Sequence, residues 1–224
     1  GNEYSSNFGN RKYKGEMINH QWSKSSEFES LFQEYVRKFI TPDIIYFSLL
    51  RPFYEIRIAK IFAKNKKQHK KYFPLFCSCN RRFRILKRKG ESLWCGKCPK
   101  CAFVYLILAP FVDREKLVKI FGKNLLNDKS LLPLFKDLLG MGGMKPFDCV
   151  GTFEESRVAL YLASRKSEKY KKDIVVKTLL PKIHNPQKAL EKVFKTFPAP
   201  TFLAPFKLLG AEKALFRHLR SGAA

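Results

Sequence analysis

Four cysteines have a spacing that can surround one metal ion. Fifteen residues separate the first from a compact C-x-x-C-x-x-C run, and a glycine and a proline inside that run help the backbone turn back on the ion. Thiolates are good zinc ligands because they are anionic and polarisable. We therefore predict a structural Zn²⁺ site, closed by protein ligands and without an open position for catalysis; a disulfide pair or unconnected core cysteines are the alternatives. The four ligands are Cys79, Cys95, Cys98 and Cys101.

The chain is strongly basic. Its 224 residues include 44 Lys and Arg against 19 Asp and Glu, which gives a net charge of +25. An anionic partner is therefore expected, and nucleic acid, a membrane surface, nucleotides and phosphorylated substrates all fit; a lysine-rich compositional bias is the alternative. An apolar content of 45% with 14% aromatic residues is enough to form a core, which excludes a disordered basic tail.

The cysteine usage and the first residues of this sequence, which resemble no secretory signal, indicate a reducing cytoplasm. The longest apolar run, residues 101–112, is too short to span a bilayer and contains Pro110, so no membrane span is expected. The sequence starts Gly-Asn-Glu without an initiator methionine. We expect that part of the protein lies upstream.

The N-terminal third predicts two helices and one extended segment. Apolar residues recur at three- and four-residue steps over residues 28–40, which indicates a helix, and Ser26 with Glu29 has the spacing of a capping box. Residues 44–50 are predicted as a short buried strand or extended segment, and a second helix is predicted from Pro52 to about residue 63. The basic stretch 64–71 is predicted as a connector, either a solvated loop or a phosphate-binding patch.

The rest of the chain is predicted to be helical. We expect a buried helix over residues 101–108, two short helices that end at Gly122 and Gly140, and a helix that begins with a capping box at Thr152 and Glu155. Prolines interrupt the basic stretch that follows. The predicted helices are residues 101–108, 113–121, 131–139 and 152–164, followed by a broken helical tail over 166–220.

Strands are few, and only the first fifty residues have room for the start of a parallel sheet. The predicted fold class is therefore the end of an α/β domain followed by a mainly α-helical zinc-binding module. We predict three segments: the C-terminal part of the α/β domain over 1–70, a four-cysteine zinc and helical module over 71–165, and a basic helical tail over 166–224.

Several motifs carry a resemblance to known families. They are GNE at 1–3, INHQWSKS at 18–25, EFE at 27–29, SLLRP at 48–52, CNR at 79–81, WCGKCPKCAFV at 94–104 and KPFDCVGT at 145–152, together with Glu55, Glu155 and Ser156. The N-terminal motifs look like the later half of a PP-loop ATP pyrophosphatase domain, of the adenine-nucleotide α-hydrolase-like type. Over roughly residues 1–165 the motifs more closely resemble the ATP-dependent UDP-N-acetylmuramoyl-L-alanyl-L-glutamate epimerases of bacterial peptidoglycan synthesis.

The resemblance implies an enzyme that inverts the α-carbon of a terminal L-Glu through an acyl-adenylate, with ATP and Mg²⁺ as cofactors and the UDP-muramoyl dipeptide as substrate. It suggests Cys149, Lys145 and Glu155 as catalytic residues, although Cys149 also fits a small buried hydrophobe and Glu155 a helix cap. The same resemblance suggests residues that bind the nucleotide, its phosphates, Mg²⁺ or the substrate carboxylate. These are Glu3, His20, Lys24, Arg51 and Glu55.

Two other functions remain open on the sequence. The four-cysteine cluster is also similar to that of 7-cyano-7-deazaguanine synthase, another adenylating PP-loop enzyme. A non-catalytic zinc module that binds nucleic acid is the third hypothesis, because Phe73, Phe76, Phe83 and Trp94 lie among basic residues; we rank it last. The glycine-rich phosphate loop of the superfamily does not occur in this sequence, so the activity is expected to require residues upstream. The oligomeric state is not predicted.

Overall fold

The computed structural model describes residues 2–64, 71–83 and 92–195. These residues are mostly helical, with one small antiparallel hairpin and several short 3-10 turns. The strands are β1 (Arg11–Tyr13) and β2 (Glu16–Ile18). The helices are α1 (Ser26–Tyr35), α2 (Glu55–Lys64), α3 (Pro99–Leu108), α4 (Arg114–Phe121), α5 (Leu132–Leu138), α6 (Phe153–Lys166), α7 (Glu168–Lys172), α8 (Ile174–Leu179) and α9 (Leu190–Phe194).

The only sheet in the described residues is the β1–β2 hairpin. Arg11 pairs with Ile18 and Tyr13 with Glu16, and the turn between them has Gly15 at a positive φ of 87°.

Of the two alternatives predicted for residues 44–50, the buried strand is wrong: among the described residues this segment pairs with no strand, and Ile44 is 60% exposed. An extended segment remains consistent, since residues 44–48 belong to neither a helix nor a strand. Its backbone bonds side chains of α1 instead, from Ser48 N to Glu29 and from Gln33 to Tyr46 O. The described residues are mostly helical, and the end of an α/β domain stays a prediction.

Helix α1 confirms the predicted periodicity but not its predicted cap. Ser25, not Ser26, is the N-cap, and its hydroxyl accepts a hydrogen bond from Phe28 N at 3.1 Å. Glu29 does not close a capping box, because its carboxylate is fully buried and accepts Ser48 N at 2.7 Å. After Tyr35 the chain continues as one π-helical turn, Val36–Ile40.

Helix α3 is the centre of the fold. Every residue from Cys101 to Leu108 is buried, as predicted, and α3 packs against α2, α4, α5 and α6. Pro99 occupies the first turn, where its missing N–H costs no hydrogen bond. Because α3 is apolar on all sides, its neighbours must surround it.

The predicted helix ends are confirmed around α3. Gly122 and Gly140 follow α4 and α5 in the left-handed conformation, with φ of 79° and 69°. The predicted capping box at the start of α6 is present in both directions, from Thr152 to Glu155 and back. Helix α2 begins at Glu55, three residues after Pro52, because residues 50–53 form a turn first.

The chain after residue 166 contributes to the same core. Tyr170, Val175, Val176, Leu179 and Val193 are all buried in the hydrophobic cluster that contains α3. The three-segment division of the chain stays a prediction. The connector residues 65–70 and the basic stretch from residue 196 onward lie outside the described residues. No helix in the described part of the chain is long and apolar enough to cross a bilayer.

A buried ion pair holds the N-terminal segment together. Arg51 is 2% exposed and uses all five of its N–H groups. Two go to the Glu29 carboxylate, and the others to Ser6 Oγ and to the backbone carbonyls of Glu3 and Lys24, at 2.8 to 3.1 Å for the last three. One side chain therefore joins α1, the first residues and the segment before α2.

Replacement of Arg51 by Met is expected to destabilise the protein by about 3–5 kcal/mol, because it leaves the Glu29 carboxylate buried without its partner. The midpoint of urea unfolding measures the loss. The matched control is Glu34→Gln. Glu34 lies on α1 like Glu29, but its ion pair with Lys38 is exposed. The control should unfold like the wild type; equal midpoints for all three proteins would contradict the prediction.

Candidate metal centre and candidate active site

The four predicted metal ligands meet at one point. The sulfur atoms of Cys79, Cys95, Cys98 and Cys101 all lie within 4.8 Å of one another. The closest approaches are 3.4 Å between Cys98 and Cys101, 3.7 Å between Cys95 and Cys101, and 3.9 Å between Cys79 and Cys98. Zinc–sulfur bonds of about 2.3 Å in a tetrahedron require sulfur atoms about 3.8 Å apart. The cluster can therefore hold a metal ion, and its donor set fits Zn²⁺.

Three local structures position these sulfur atoms. Cys79 stands before a 3-10 turn, Asn80–Phe83, and Cys98 is the N-cap of α3, where its sulfur accepts from Cys101 N. The turn between Cys95 and Cys98 requires Gly96, whose φ is +64° and whose added Cβ would approach Lys123 Cε to 2.9 Å. Backbone conformation thus directs the four sulfur atoms toward one point. We call the site formed by Cys79, Cys95, Cys98 and Cys101 the knuckle.

The sulfur atoms also interact with one another. The close contact between the Cys98 and Cys101 sulfur atoms lowers the pKa of Cys98 to about 4 and raises the pKa of Cys101. Cys77 lies outside the four-sulfur group: its Sγ donates to Leu93 O at 2.9 Å, and burial raises its pKa. All six cysteines are free of disulfides in this structure, so the disulfide alternative is not supported.

A second cluster surrounds Lys145. This side chain is only 3% exposed, and its Nζ has no hydrogen-bond partner among the described residues. Burial lowers the pKa of Lys145, while nearby Glu155, Glu55 and Glu3 oppose that shift. An unpaired buried amine beside carboxylates is a costly arrangement that a fold without a function for it would avoid.

Glu155 and Glu55 have different environments in this cluster. Glu155 is fully buried, and its oxygens accept from Ile56 N, Thr152 N and Thr152 Oγ1 at 2.7 to 3.1 Å. The hydrogen bonds give Glu155 the geometry of a helix cap. Glu55 instead faces Lys100, whose Nζ lies 3.4 Å from Glu55 Oε1. Burial raises the pKa of Glu55 to about 8, although Lys100 opposes the shift.

Cys149 is held between two lysines. Lys24 Nζ lies 3.2 Å from Cys149 Sγ, and Lys100 Nζ donates to the carbonyl oxygen of Cys149. The thiolate is the reactive form of a cysteine, and a neighbouring ammonium group stabilises it. Residues that are 125 positions apart in sequence thereby share one contact.

His20 completes the cluster on the side of the hairpin. Burial lowers the pKa of His20, and Lys145 and Lys24 lower it further. Its Nδ1 contacts Asn10 Oδ1, its ring packs edge-on against Phe147, and Asn10 Nδ2 donates to Pro146 O at 3.1 Å. The first twenty residues are therefore bound directly to the loop that carries Lys145.

The structure thus brings seven of the eight predicted catalytic and nucleotide-binding residues into one polar cluster. Arg51 is placed differently, because its hydrogen bonds are all used inside the protein; it contacts the cluster only through the backbone carbonyls of Glu3 and Lys24. Binding roles for these residues remain predictions. The seven are Glu3, His20, Lys24, Glu55, Lys145, Cys149 and Glu155.

Lys100 is a cluster residue that the sequence interpretation missed. It lies between Cys98 and Cys101, and the sequence interpretation assigned this stretch to the metal site alone. No signal in the sequence distinguishes Lys100 from Lys97, which occupies the equivalent place between Cys95 and Cys98 and is exposed. Glu29 was also missed as a buried ion-pair partner, because its spacing from Ser26 suggested a cap.

The aromatic residues proposed for nucleic-acid stacking are mostly in the core. Phe73 and Trp94 are 5% and 2% exposed, and Trp94 packs against Phe121 with ring centroids 4.4 Å apart. Phe76 is half-buried against Trp94, while the side chain of Phe83 lies outside the described residues. These rings do not form an exposed stacking platform, which disfavours the nucleic-acid hypothesis.

Two family models match the chain. The model described as the MurL C-terminal domain matches residues 75–193, and the model described as the MurL N-terminal domain matches residues 1–49. The chain belongs to the MurL family. Cysteines 79 to 101 and the Lys145–Glu155 region fall in the C-terminal match, whereas Glu3, His20 and Lys24 fall in the N-terminal match.

Curated relatives carry the same assignment. Proteins from Xanthomonas oryzae and Micromonospora, both named UDP-N-acetyl-alpha-D-muramoyl-L-alanyl-L-glutamate epimerase, are 42% and 43% identical over 179 and 167 residues. These alignments cover 80% and 75% of this chain but 39% and 36% of the relatives. The chain thus spans about two fifths of the length of the curated relatives it matches. No solved structure matches the chain.

Replacement of Cys98 by Ser is expected to abolish stoichiometric zinc binding and to destabilise the start of α3, because metal binding is coupled to folding of the knuckle. Metal content by mass spectrometry and hydrogen exchange of residues 92–108 measure the two effects. Cys77→Ser is the control, since Cys77 lies outside the four-sulfur set and should leave the metal in place. Absence of metal from the folded wild type would refute the site.

Glu55 predicts a dependence of stability on pH. Because its pKa is raised from 4.5 to about 8 in the folded protein, its contribution to stability is complete below pH 4.5 and is lost as the pH rises through 8. A glutamine at this position does not ionise. The free energy of unfolding of Glu55→Gln, measured by urea titration relative to the wild type, should therefore increase from pH 5 to pH 8.5. Exposed Glu191→Gln is the control. A pH-independent difference for Glu55→Gln would contradict the assignment.

Proposed function

We propose that this chain forms part of an ATP-dependent epimerase that converts the terminal L-Glu of UDP-N-acetylmuramoyl-L-alanyl-L-glutamate to D-Glu, a step in peptidoglycan precursor synthesis in the cytoplasm. The observation that carries the proposal is that Glu55 and Cys149 lie near the buried amine of Lys145, which has no hydrogen-bond partner among the described residues, and that Lys24 contacts Cys149. The names of the curated relatives supply the substrate class.

The chemistry explains why ATP is needed. A proton next to a carboxylate is hard to remove, because the product carries two negative charges. Attack of the substrate carboxylate on the α-phosphate of ATP releases pyrophosphate and gives an acyl-adenylate, which has lost the carboxylate charge. A base then takes the α-proton, an acid returns a proton to the opposite face, and water releases AMP and the D-Glu carboxylate.

We assign proton transfer to Cys149 and stabilisation of the developing oxyanion to Lys145. Lys24 is placed to orient the Cys149 side chain, given the 3.2 Å contact between their side chains. Lys145 suits the oxyanion because it is already desolvated and holds no competing partner among the described residues, so an electrostatic contact there is strong. Glu155 is left as the cap of α6, since its oxygens are used by Thr152 and Ile56.

We further propose Zn²⁺ as the ion of the four-cysteine knuckle and a role for Glu3 and Glu55 near Mg²⁺ and the nucleotide. Among the described residues, the cysteines are the only group of three or more potential ligands close enough to hold a metal. Mg²⁺ usually needs only one or two carboxylates together with phosphate oxygens. A PP-loop domain that grips the ATP phosphates belongs to the same proposal, as does the need for residues beyond this chain.

The test uses the complete product of the reading frame that contains this chain, with ATP, Mg²⁺ and the L-Glu-terminated substrate in deuterated water. The wild type should release AMP and pyrophosphate and incorporate deuterium at the α-carbon. Cys149→Ala should lower deuterium incorporation by about 10²–10⁴-fold, the range for loss of an acid–base group, while pyrophosphate release falls only a few-fold.

Cys77→Ser is the matched cysteine control and should exchange deuterium at the wild-type rate. Lys145→Met should slow exchange, with exposed Lys129→Met as its control. Wild-type exchange in Cys149→Ala would remove Cys149 from the mechanism. ATP cleavage that requires a different acceptor would favour another adenylating reaction instead.

A further inference from the structure

The first 49 residues expose most of their large apolar side chains. Among the described residues up to 49, Val36 is the only buried apolar side chain, while Tyr4 and Phe8 are half-buried against the core. The same segment holds eleven of the fifteen large apolar side chains that the described residues expose. Folded monomers rarely expose so large an apolar surface to water, so a partner surface is expected to cover it.

The exposed apolar residues include one continuous aromatic surface. Ring contacts with centroids 4.9 to 6.5 Å apart connect its members in succession along α1 and onto the segment that follows it. All are exposed or half-buried, and Phe39 reaches 73% exposure. We call this surface the aromatic face; it consists of Trp22, Phe28, Phe32, Tyr35, Phe39 and Tyr46.

Helix α1 therefore has an inverted orientation. Its inner side carries Glu29, which is fully buried against Arg51, and Gln33, whose Nε2 donates to Tyr46 O at 2.6 Å. Its outer side carries the aromatic rings. A helix at a protein–water boundary normally has the opposite arrangement, with its apolar stripe inward. Both sides of α1 thus carry side chains suited to burial, but the aromatic side is largely exposed among the described residues.

We propose that the aromatic face is an interface for the remainder of the MurL N-terminal domain, as the relatives possess it. Two observations select this occupant. The exposed apolar residues are concentrated in the region matched by the N-terminal domain model, residues 1–49. The relatives are also much longer, since the alignment with the Xanthomonas oryzae protein covers only 39% of it. Association needs neither ATP nor substrate, so the interface goes beyond the proposed function and does not depend on it.

The first experiment measures association. The part of the N-terminal domain of the Xanthomonas oryzae relative that has no counterpart in this chain is produced together with this chain, and the complex is analysed by size-exclusion chromatography with light scattering. We expect a 1:1 complex. Tyr35→Glu with Phe39→Glu should weaken it at least about 30-fold, the loss typical of an aromatic hot spot, whereas Leu75→Glu, 68% exposed elsewhere, should leave it intact.

The second experiment does not require two separate polypeptides. The same part of the relative is fused ahead of residue 2, and the melting temperature is measured for the fusion and for this chain alone. Tyr35→Glu with Phe39→Glu should lower it in the fusion and leave it nearly unchanged in the chain alone. Trp22 is one of two tryptophans in this chain, and Trp94 is buried. The difference in acrylamide quenching between the fusion and its Trp22→Phe variant isolates Trp22, which should be more protected in the fusion than in the chain alone.

Three outcomes would overturn the proposal. A chain that forms homodimers through Tyr35 and Phe39 would assign the face to a second copy. Equal effects of the double variant in the fusion and in the chain alone would show a role in internal stability. Absence of a complex together with an unprotected Trp22 in the fusion would show that the face stays in water. Each readout is independent of catalysis, so a failed epimerase assay leaves these results interpretable.

Discussion

The four-sulfur knuckle is the constraint on which both the fold and the candidate site depend. Cys98 caps the first turn of α3 and Cys101 lies one turn later, so the cluster determines where the central helix begins. Lys100 is carried between them, and its side chain contacts both Glu55 and the carbonyl of Cys149. A metal ion held at the knuckle would therefore also fix the position of Lys100, whose side chain joins α2 to the loop of Cys149.

The N-terminal segment depends on a different kind of interaction. Val36 is its only buried apolar side chain among the described residues, and Tyr4 and Phe8 pack half-buried against the core, so hydrogen bonds contribute much of its attachment. Arg51 supplies five of these, because a planar guanidinium group can satisfy a carboxylate and several carbonyls at once. Two of those carbonyls belong to Glu3 and Lys24. Arg51 thus positions candidate site residues through their backbone, although its side chain is closed to a ligand.

The sequence was most informative where function or local geometry demands particular residues at short spacing. The cysteine cluster and the Thr152–Glu155 box were predicted correctly, because each is set by residues within a few turns or by ligand chemistry. The Ser26–Glu29 box had the same pattern and was wrong. The Glu29 carboxylate binds Arg51, 22 residues away, instead of capping the helix. A local sequence pattern gives no information about such a long-range partner. The buried strand at residues 44–50 failed for a related reason, since strands require partners that periodicity does not reveal.

The same contrast explains why the cluster around Lys145 could be named but not assembled from sequence. Its members come from the first residues, from α2, from the knuckle and from the loop before α6, and only the fold shows that Lys24 meets Cys149. The fold also shows how close the aromatic face lies in sequence to a residue of this cluster. Lys24 lies next to Ser25, the cap of α1, and the outer side of α1 carries the aromatic face. A protein surface packed on that face would therefore cover the helix whose cap adjoins the lysine of the Cys149 pair, which places the proposed interface and the candidate site at the two ends of one short stretch of chain.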